Sequence, residues 1–288
     1  MLAKPSQAKL SMCMAFALIC TVVGAQESPL QQPWHSQNRY LELGAGQQQQ
    51  AYREQDSYAL TPDGVLNSES GRQDALHIAV RWQAPWGGFA AVQAQRQSGP
   101  TAYKGYLQSG SGALTPYNAT TGNTASHVAL QLGYAMGSQT LAYLPANWEI
   151  IPVVWLGQHT WQRNLAQYSE SYRYTTQALG AVAQYQLRLG TVVEAQALRG
   201  KSSPASVSVP GLDFDATQPG GIWVRWQLGV SQDLGAATGQ DAWRGWRVFA
   251  RTTSTRTTHG ASDVTNGLQA PPNESTPNIW LLGLQKQF

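Results

Sequence analysis

Charge is scarce in this chain. Only 12 % of its 288 residues are Asp, Glu, Lys or Arg, about half of the ~25 % usual in soluble domains. That deficit argues against an ordinary cytosolic enzyme and against a coiled coil, whose outer positions carry charge. Long apolar runs are missing too: past the amino terminus nothing approaches the ~20 residues of a spanning helix. Cysteine is confined to Cys13 and Cys20, and Phe is rare at 5 beside 11 Trp and 12 Tyr. The space that charge leaves is filled by Gln, Ser, Thr, Asn and 28 Gly.

The amino terminus has the build of a cleaved secretory signal. Lys4 and Lys9 precede an apolar run from Leu10 to Val23, and Val23-Gly24-Ala25 supplies a small-x-small end. Cleavage after Ala25 is expected. A membrane anchor is the poorer reading because the run is too short. A lipoprotein acylated at Cys20 meets the bulky Ile19 where a small residue is wanted. Both cysteines leave with the signal, so the mature chain has no disulfide and no thiolate metal site. Lys4 and Lys9 leave as well, which reduces 19 Lys and Arg to 17 against 16 Asp and Glu, a balance of +1. Scattered, nearly balanced charge offers nothing to nucleic acid.

Alternation dominates the rest. In Leu76-His77-Ile78-Ala79-Val80-Arg81-Trp82-Gln83 the apolar residues fall on one face of a strand and His77, Arg81 and Gln83 on the other. Val128 to Met136 and Ile222 to Val230 repeat the pattern. The segments are long enough for a tilted strand to cross a bilayer. The second face carries Arg, Gln, Glu and Gly, which suits a wet lumen better than a dry sandwich core. Ten strands are expected, at about 39–52, 73–84, 88–98, 125–137, 147–162, 170–187, 190–199, 220–231, 243–257 and 277–288, with eight as the alternative. The fold class is therefore all-β: a single closed antiparallel transmembrane barrel over 39–288, behind a signal peptide (1–25) and a periplasmic segment (26–38).

The connections alternate in length. Asp56 to Arg72, Ser98 to Thr124, Gly200 to Pro219 and Thr258 to Thr276 read as long outer loops. Pro85-Trp86-Gly87 and Arg188-Leu189 read as tight inner turns. Trp82, Trp86, Phe89, Trp148, Trp243, Trp246 and Phe288 fall at one expected membrane edge, and Tyr52, Tyr58, Trp161, Tyr168 and Tyr172 near the other. The loop Ser98 to Thr124, with Tyr103, Tyr106 and Tyr117, is the best candidate contact surface.

The chain ends Trp280-Leu281-Leu282-Gly283-Leu284-Gln285-Lys286-Gln287-Phe288. This resembles the carboxy-terminal assembly signal of bacterial outer-membrane β-barrels, with Trp280, Leu282, Leu284 and Phe288 on one face. Lys286 departs from the pattern, but near the membrane edge a Lys can snorkel. The run Pro152 to Arg163, with Trp161-Gln162-Arg163, followed by Glu170-Ser171-Tyr172, resembles a hairpin of small porin-like outer-membrane proteins of Gram-negative bacteria. The resemblance implies the barrel, the outer membrane and an encounter with the assembly machinery, and carries over no catalytic residue. A pairing of Arg163 with Glu170 is expected, as an exposed pair of little weight.

Catalytic constellations are not found. No His follows an Asp by two residues, as the omptin proteases require, and none precedes a Ser by two, as the lipid A deacylases require. Asp213 and Asp215 supply oxygen ligands of the kind calcium takes, but read better as solvated loop carboxylates. The sequons at Asn118 and Asn273 read as chance. No cofactor or metal is expected, and the chain is read as no enzyme. The residues expected to face the lumen are His77, Arg81, Gln83, Gln93, Gln95, His127, Gln131, Glu194, Gln196, Arg225, Gln227, Arg247 and Arg251, since an Arg facing mid-bilayer lipid costs ~2–4 kcal/mol. Three functions follow in order: a non-enzymatic surface protein whose loops serve interaction or envelope integrity, a narrow channel for small solutes, and a lipid-modifying enzyme. Lipid and lipopolysaccharide surround it in each case.

Overall fold

The computed structural model describes residues 34–58, 60–108, 114–165, 168–187 and 190–288. The expected signal peptide with Cys13 and Cys20, and the turn Arg188-Leu189, lie outside the described residues.

Ten antiparallel staves close into one barrel. They are β1 (Tyr40–Gln55), β2 (Val65–Gln83), β3 (Gly88–Gln108), β4 (Leu114–Tyr134), β5 (Trp148–Asn164), β6 (Ser169–Gln186), β7 (Thr191–Ser202), β10 (Gly220–Asp233), β11 (Trp246–His259) and the final stave. That last stave is broken into β12 (Asn273–Ser275) and β13 (Asn278–Gln287) by Thr276-Pro277, since Pro cannot donate to a ladder. Each stave pairs with the next, and β1 returns to β13 in the register Tyr40↔Gln287 through Gln49↔Asn278. Closure leaves no edge strand, the condition lipid imposes on a sheet. An even number of staves puts the start of β1 and the end of β13 at one rim, called here the terminal rim. The opposite rim is the distal one.

The period of two decides which side chains meet lipid. On β2 the side chains of Leu76, Ile78, Val80 and Trp82 are exposed, while His77, Arg81 and Gln83 are buried. On β13 Trp280, Leu282 and Leu284 are exposed and Leu281 and Gln285 buried. Lys286 sits on the outer face, where its ammonium lies 5.0 Å from the centre of the Trp246 ring and donates to the Arg244 carbonyl at 3.2 Å. The stem covers apolar surface and the charge reaches the rim. Inside, the Phe249 ring lies across Gly44 and Gly283, and a Cβ at Gly44 would stand 2.8 Å from its Cζ.

Trp82, Trp86, Tyr134, Trp148, Trp243 and Phe288 are exposed and ring the terminal rim. Phe89 does not join them: its odd position on β3 turns it inward, where it is buried. The expected distal belt is corrected more deeply. Tyr52 and Tyr172 are buried, and Tyr52 and Trp161 meet edge to face at 4.9 Å. They belong to the interior because they share parity with the lumen residues of their strands.

Two expected outer loops are wall instead. β2 begins at Val65 rather than about 73, and β3 and β4 continue to Gln108 and from Leu114, so most of Ser98 to Thr124 is a paired hairpin. Within it Tyr103 is buried and packs on Tyr117 at 6.1 Å, so this segment is not the open aromatic loop expected. The outer face turns polar as it rises: Arg72, Asp74, Arg96 and Lys104 are exposed beyond the apolar band. Thr and Gly in this stretch read as loop, yet Thr is also a good strand former.

Further elements pack at both rims. Between β7 and β10 a hairpin of β8 (Ala205–Val209) and β9 (Phe214–Gln218) folds against β6 through Ser171↔Ser208 to Arg173↔Ser206. Val207, Val209 and Phe214 form a small core there with Tyr172 and Ala270, with Trp161 and Tyr168 against it. At the terminal rim the helix α1 (Trp34–Gln37) precedes β1, and Gln37 and Asn38 are buried. The described end of the expected periplasmic segment, 34–38, packs against the barrel through Asn38.

Candidate functional site

The interior carries the chemistry. Twelve of the thirteen residues expected in the lumen are buried: His77, Arg81, Gln83, Gln93, Gln95, His127, Gln131, Glu194, Gln196, Arg225, Gln227 and Arg247. The Arg251 side chain is 9 % exposed. They form three stacked groups together with residues that were not on that list.

Nearest the terminal rim, Arg81 and Glu194 make a bidentate pair at 2.5 and 3.1 Å. Glu194 also accepts from Gln184 at 2.7 Å and Gln227 at 3.2 Å. Asn38 donates to Gln83, Glu149 and Gln184 at 2.7, 3.0 and 2.8 Å. One side chain thereby ties the chain's entry to β2, β5 and β6. Arg247 donates to the Gly190 carbonyl at 2.9 Å and the Ser231 hydroxyl at 3.0 Å. A cavity of about 30 Å³ remains between Asn38, Glu194, Arg247 and Arg251, room for about two water molecules.

At mid-height Glu42 accepts from Arg251 at 2.5 and 2.8 Å, from Gln285 at 2.7 Å, and contacts His77 Nε2 at 2.7 Å. Across the lumen, Trp155 stacks between Trp223 at 5.5 Å and His127 at 5.7 Å. His127 stacks in turn on His159, and His159 on Tyr174. Gln196 donates to Gln131 at 3.1 Å. Arg225 lies 4.9 Å from the Trp155 ring centre and donates to Gln227 at 3.1 Å.

Toward the distal rim Arg163 is 1 % exposed, so the expectation of an exposed pair with Glu170 is corrected. The guanidinium meets Glu69 at 2.7 Å, Glu170 at 2.7 Å and Glu54 at 3.3 Å, within 5.9 Å of the rings of Tyr52, Tyr103 and Trp161. Asn123 and Thr101 complete Glu69. Sequence spacing showed one carboxylate of the three because Glu54 and Glu69 arrive from other strands.

Glu42, Glu54, Glu69 and Glu149 were missed although each has inward parity on its strand. Leu41 and Leu43 point outward, which fixes Glu42 inward, and this signal was available. Asp213 and Asp215 are both exposed. Among the described residues no group of His, Asp or Glu has an arrangement that holds a metal ion. Most of the charged interior groups are paired with each other or with amides, an arrangement that braces a wall.

The architecture is that of the porin-like outer-membrane β-barrels. No family model matches the sequence, and no curated protein matches it. Among solved structures the outer membrane protease OmpT of Escherichia coli aligns with a TM-score of 0.57, covering 88 % of this chain and 97 % of that one at 11 % identity. The translocator domain of the autotransporter NalP of Neisseria meningitidis aligns at 0.36, with 98 % and 96 % coverage and 12 % identity. The attachment invasion locus protein Ail of Yersinia pestis aligns at 0.34, with 87 % and 99 % coverage and 8 % identity. The likeness to OmpT is one of fold alone.

Proposed function

We propose that this chain is a non-enzymatic outer-membrane surface protein, exported by its cleaved signal, whose barrel is a sealed anchor and whose distal crown makes contacts outside the cell. The observation that carries the reading is a lumen crossed by buried charge pairs, Arg81 with Glu194, Arg251 with Glu42 and Arg163 with Glu69. The crown is joined across loops: Tyr58 donates to Gln269 at 2.9 Å, Asn266 to the Asp213 carbonyl at 3.2 Å and Gln218 to the Pro271 carbonyl at 2.7 Å. It exposes Tyr58, Leu60, Leu212, Val264 and Leu268, apolar side chains well beyond the lipid band and of the kind that mark interaction sites. Trp280, Leu282, Leu284 and Phe288 face lipid as the assembly machinery's signal. Lipopolysaccharide surrounds the distal half of the wall.

Planar-bilayer recording tests the anchor. A silent protein is the expected result. Steady openings altered by Arg225→Ala or Arg251→Ala would replace this reading with the narrow channel. Loss of an acyl chain from lipid A, seen by mass spectrometry, would replace it with the enzyme. The mature chain has no cysteine, so Val264→Cys gives a unique label site. It reacts with an impermeant maleimide on intact cells, and Ala236→Cys does not.

A further inference from the structure

Arg225 has no counter-charge. Arg81, Arg163 and Arg251 each contact a carboxylate, and Arg247 contacts carbonyl and hydroxyl oxygens. Arg225, 6 % exposed at mid-lumen, keeps one hydrogen bond to the neutral amide of Gln227 and the face of Trp155. Its Nε has no hydrogen-bond partner among the described residues. A guanidinium is always charged, and leaving it unpaired away from water costs several kcal/mol.

Polar groups beside it are also without partners. Trp223 and His127 both stack on the indole that Arg225 covers, and Trp223 Nε1 and His127 Nε2 also have no partner among the described residues. Trp223 is fully buried and His127 is 7 % exposed. Gln95 sits opposite His127 on the adjoining strand with its amide nitrogen likewise unpartnered. Arg225 Nε, Trp223 Nε1 and Gln95 Nε2 are unsatisfied donors, beside one unsatisfied acceptor, Gln196 Oε1, opposite Gln227.

We infer that Arg225, with its unpartnered Nε, forms a binding site for a small inorganic anion of halide size in the middle of the barrel. The anion neutralises a buried guanidinium that keeps one hydrogen bond, to a neutral amide, and does so whether or not the crown binds a partner.

The test uses the mature full-length protein folded in a neutral detergent. Urea unfolding is followed at constant ionic strength while sodium gluconate is replaced by sodium chloride. The midpoint rises saturably, by about 1 M at chloride ~100-fold above its dissociation constant. Arg225→Gln abolishes the chloride response, and Arg225→Lys, which keeps the charge, retains part of it. Bromide-soaked crystals show an anomalous peak in contact with the Arg225 guanidinium. Equal midpoints in chloride and gluconate, or bromide-soaked crystals without that peak, overturn the site. Neither result bears on whether the barrel conducts.

Discussion

Removing Glu194 is the sharpest test of the sealed lumen. Its carboxylate accepts two hydrogen bonds from Arg81 and one each from Gln184 and Gln227, at 2.5, 3.1, 2.7 and 3.2 Å. Glu194→Leu leaves Arg81 buried against the rings of Tyr40 and Phe89 with no carboxylate. Breaking a buried pair from one side costs about 3–5 kcal/mol, because a charge is stranded. Replacing both partners by apolar groups of similar volume is close to neutral or even stabilising, by up to about 4 kcal/mol. Glu194→Leu is therefore expected to lower the unfolding free energy by roughly 3–5 kcal/mol, and Arg81→Met with Glu194→Leu to recover most of the loss. Urea unfolding in neutral detergent, read by tryptophan emission, measures both, and the cycle isolates the pair. A single variant within about 1 kcal/mol of the parent, the figure for an exposed pair, would refute the claim that these charges are desolvated and brace the wall.

Asn38→Ala removes the side chain that ties the entry segment to three strands, and is expected to turn the silent barrel into one with brief openings in bilayer recordings. Gly44→Val drives a branched side chain into the Phe249 ring and is expected to cut the yield of folded barrel on heat-modifiable gels. Deleting Phe288 is expected to leave synthesis intact and reduce the amount recovered in outer-membrane fractions. In the distal loop, desolvation pushes the Asp56 carboxyl up, but hydrogen bonds from the Tyr58 and Thr61 amides and the Thr61 hydroxyl outweigh it and hold its pKa below the ordinary Asp range. A depressed pKa means that this loop is fully braced above the unfolded value and loosens as pH falls through the folded one. The hydrogen-exchange protection factors of the Tyr58 and Thr61 amides, corrected for the intrinsic pH dependence of exchange, are expected to fall on acidification and to be low and flat with pH in Asp56→Ala.

Local pattern was enough to place the strands. Their expected edges at the terminal rim agree with the structure to within a few residues, because there the apolar-to-polar change at the lipid boundary coincides with the end of each strand. At the distal rim the two boundaries separate. Lipid ends near Leu76 on β2, yet pairing continues to Val65, and Ser, Thr and Asn satisfy a wet strand as well as a loop. The lumen residues of β2, β3 and β4 were legible from parity alone, since one step along a strand exchanges oil for the interior. Glu42 obeyed the same rule and was passed over.

The order of residues by itself determined that this chain is a closed β-barrel, which side of each strand meets lipid, and where the terminal rim lies. Those are consequences of a two-residue period acting against a hydrocarbon layer. Tertiary structure alone decided which charges meet. Arg163 gathers carboxylates from three other strands, Glu42 meets an Arg more than two hundred residues away, and Arg225 is left without a counter-charge. Closing the cylinder brings distant staves within hydrogen-bond reach across the lumen, and no spacing along the chain encodes that distance.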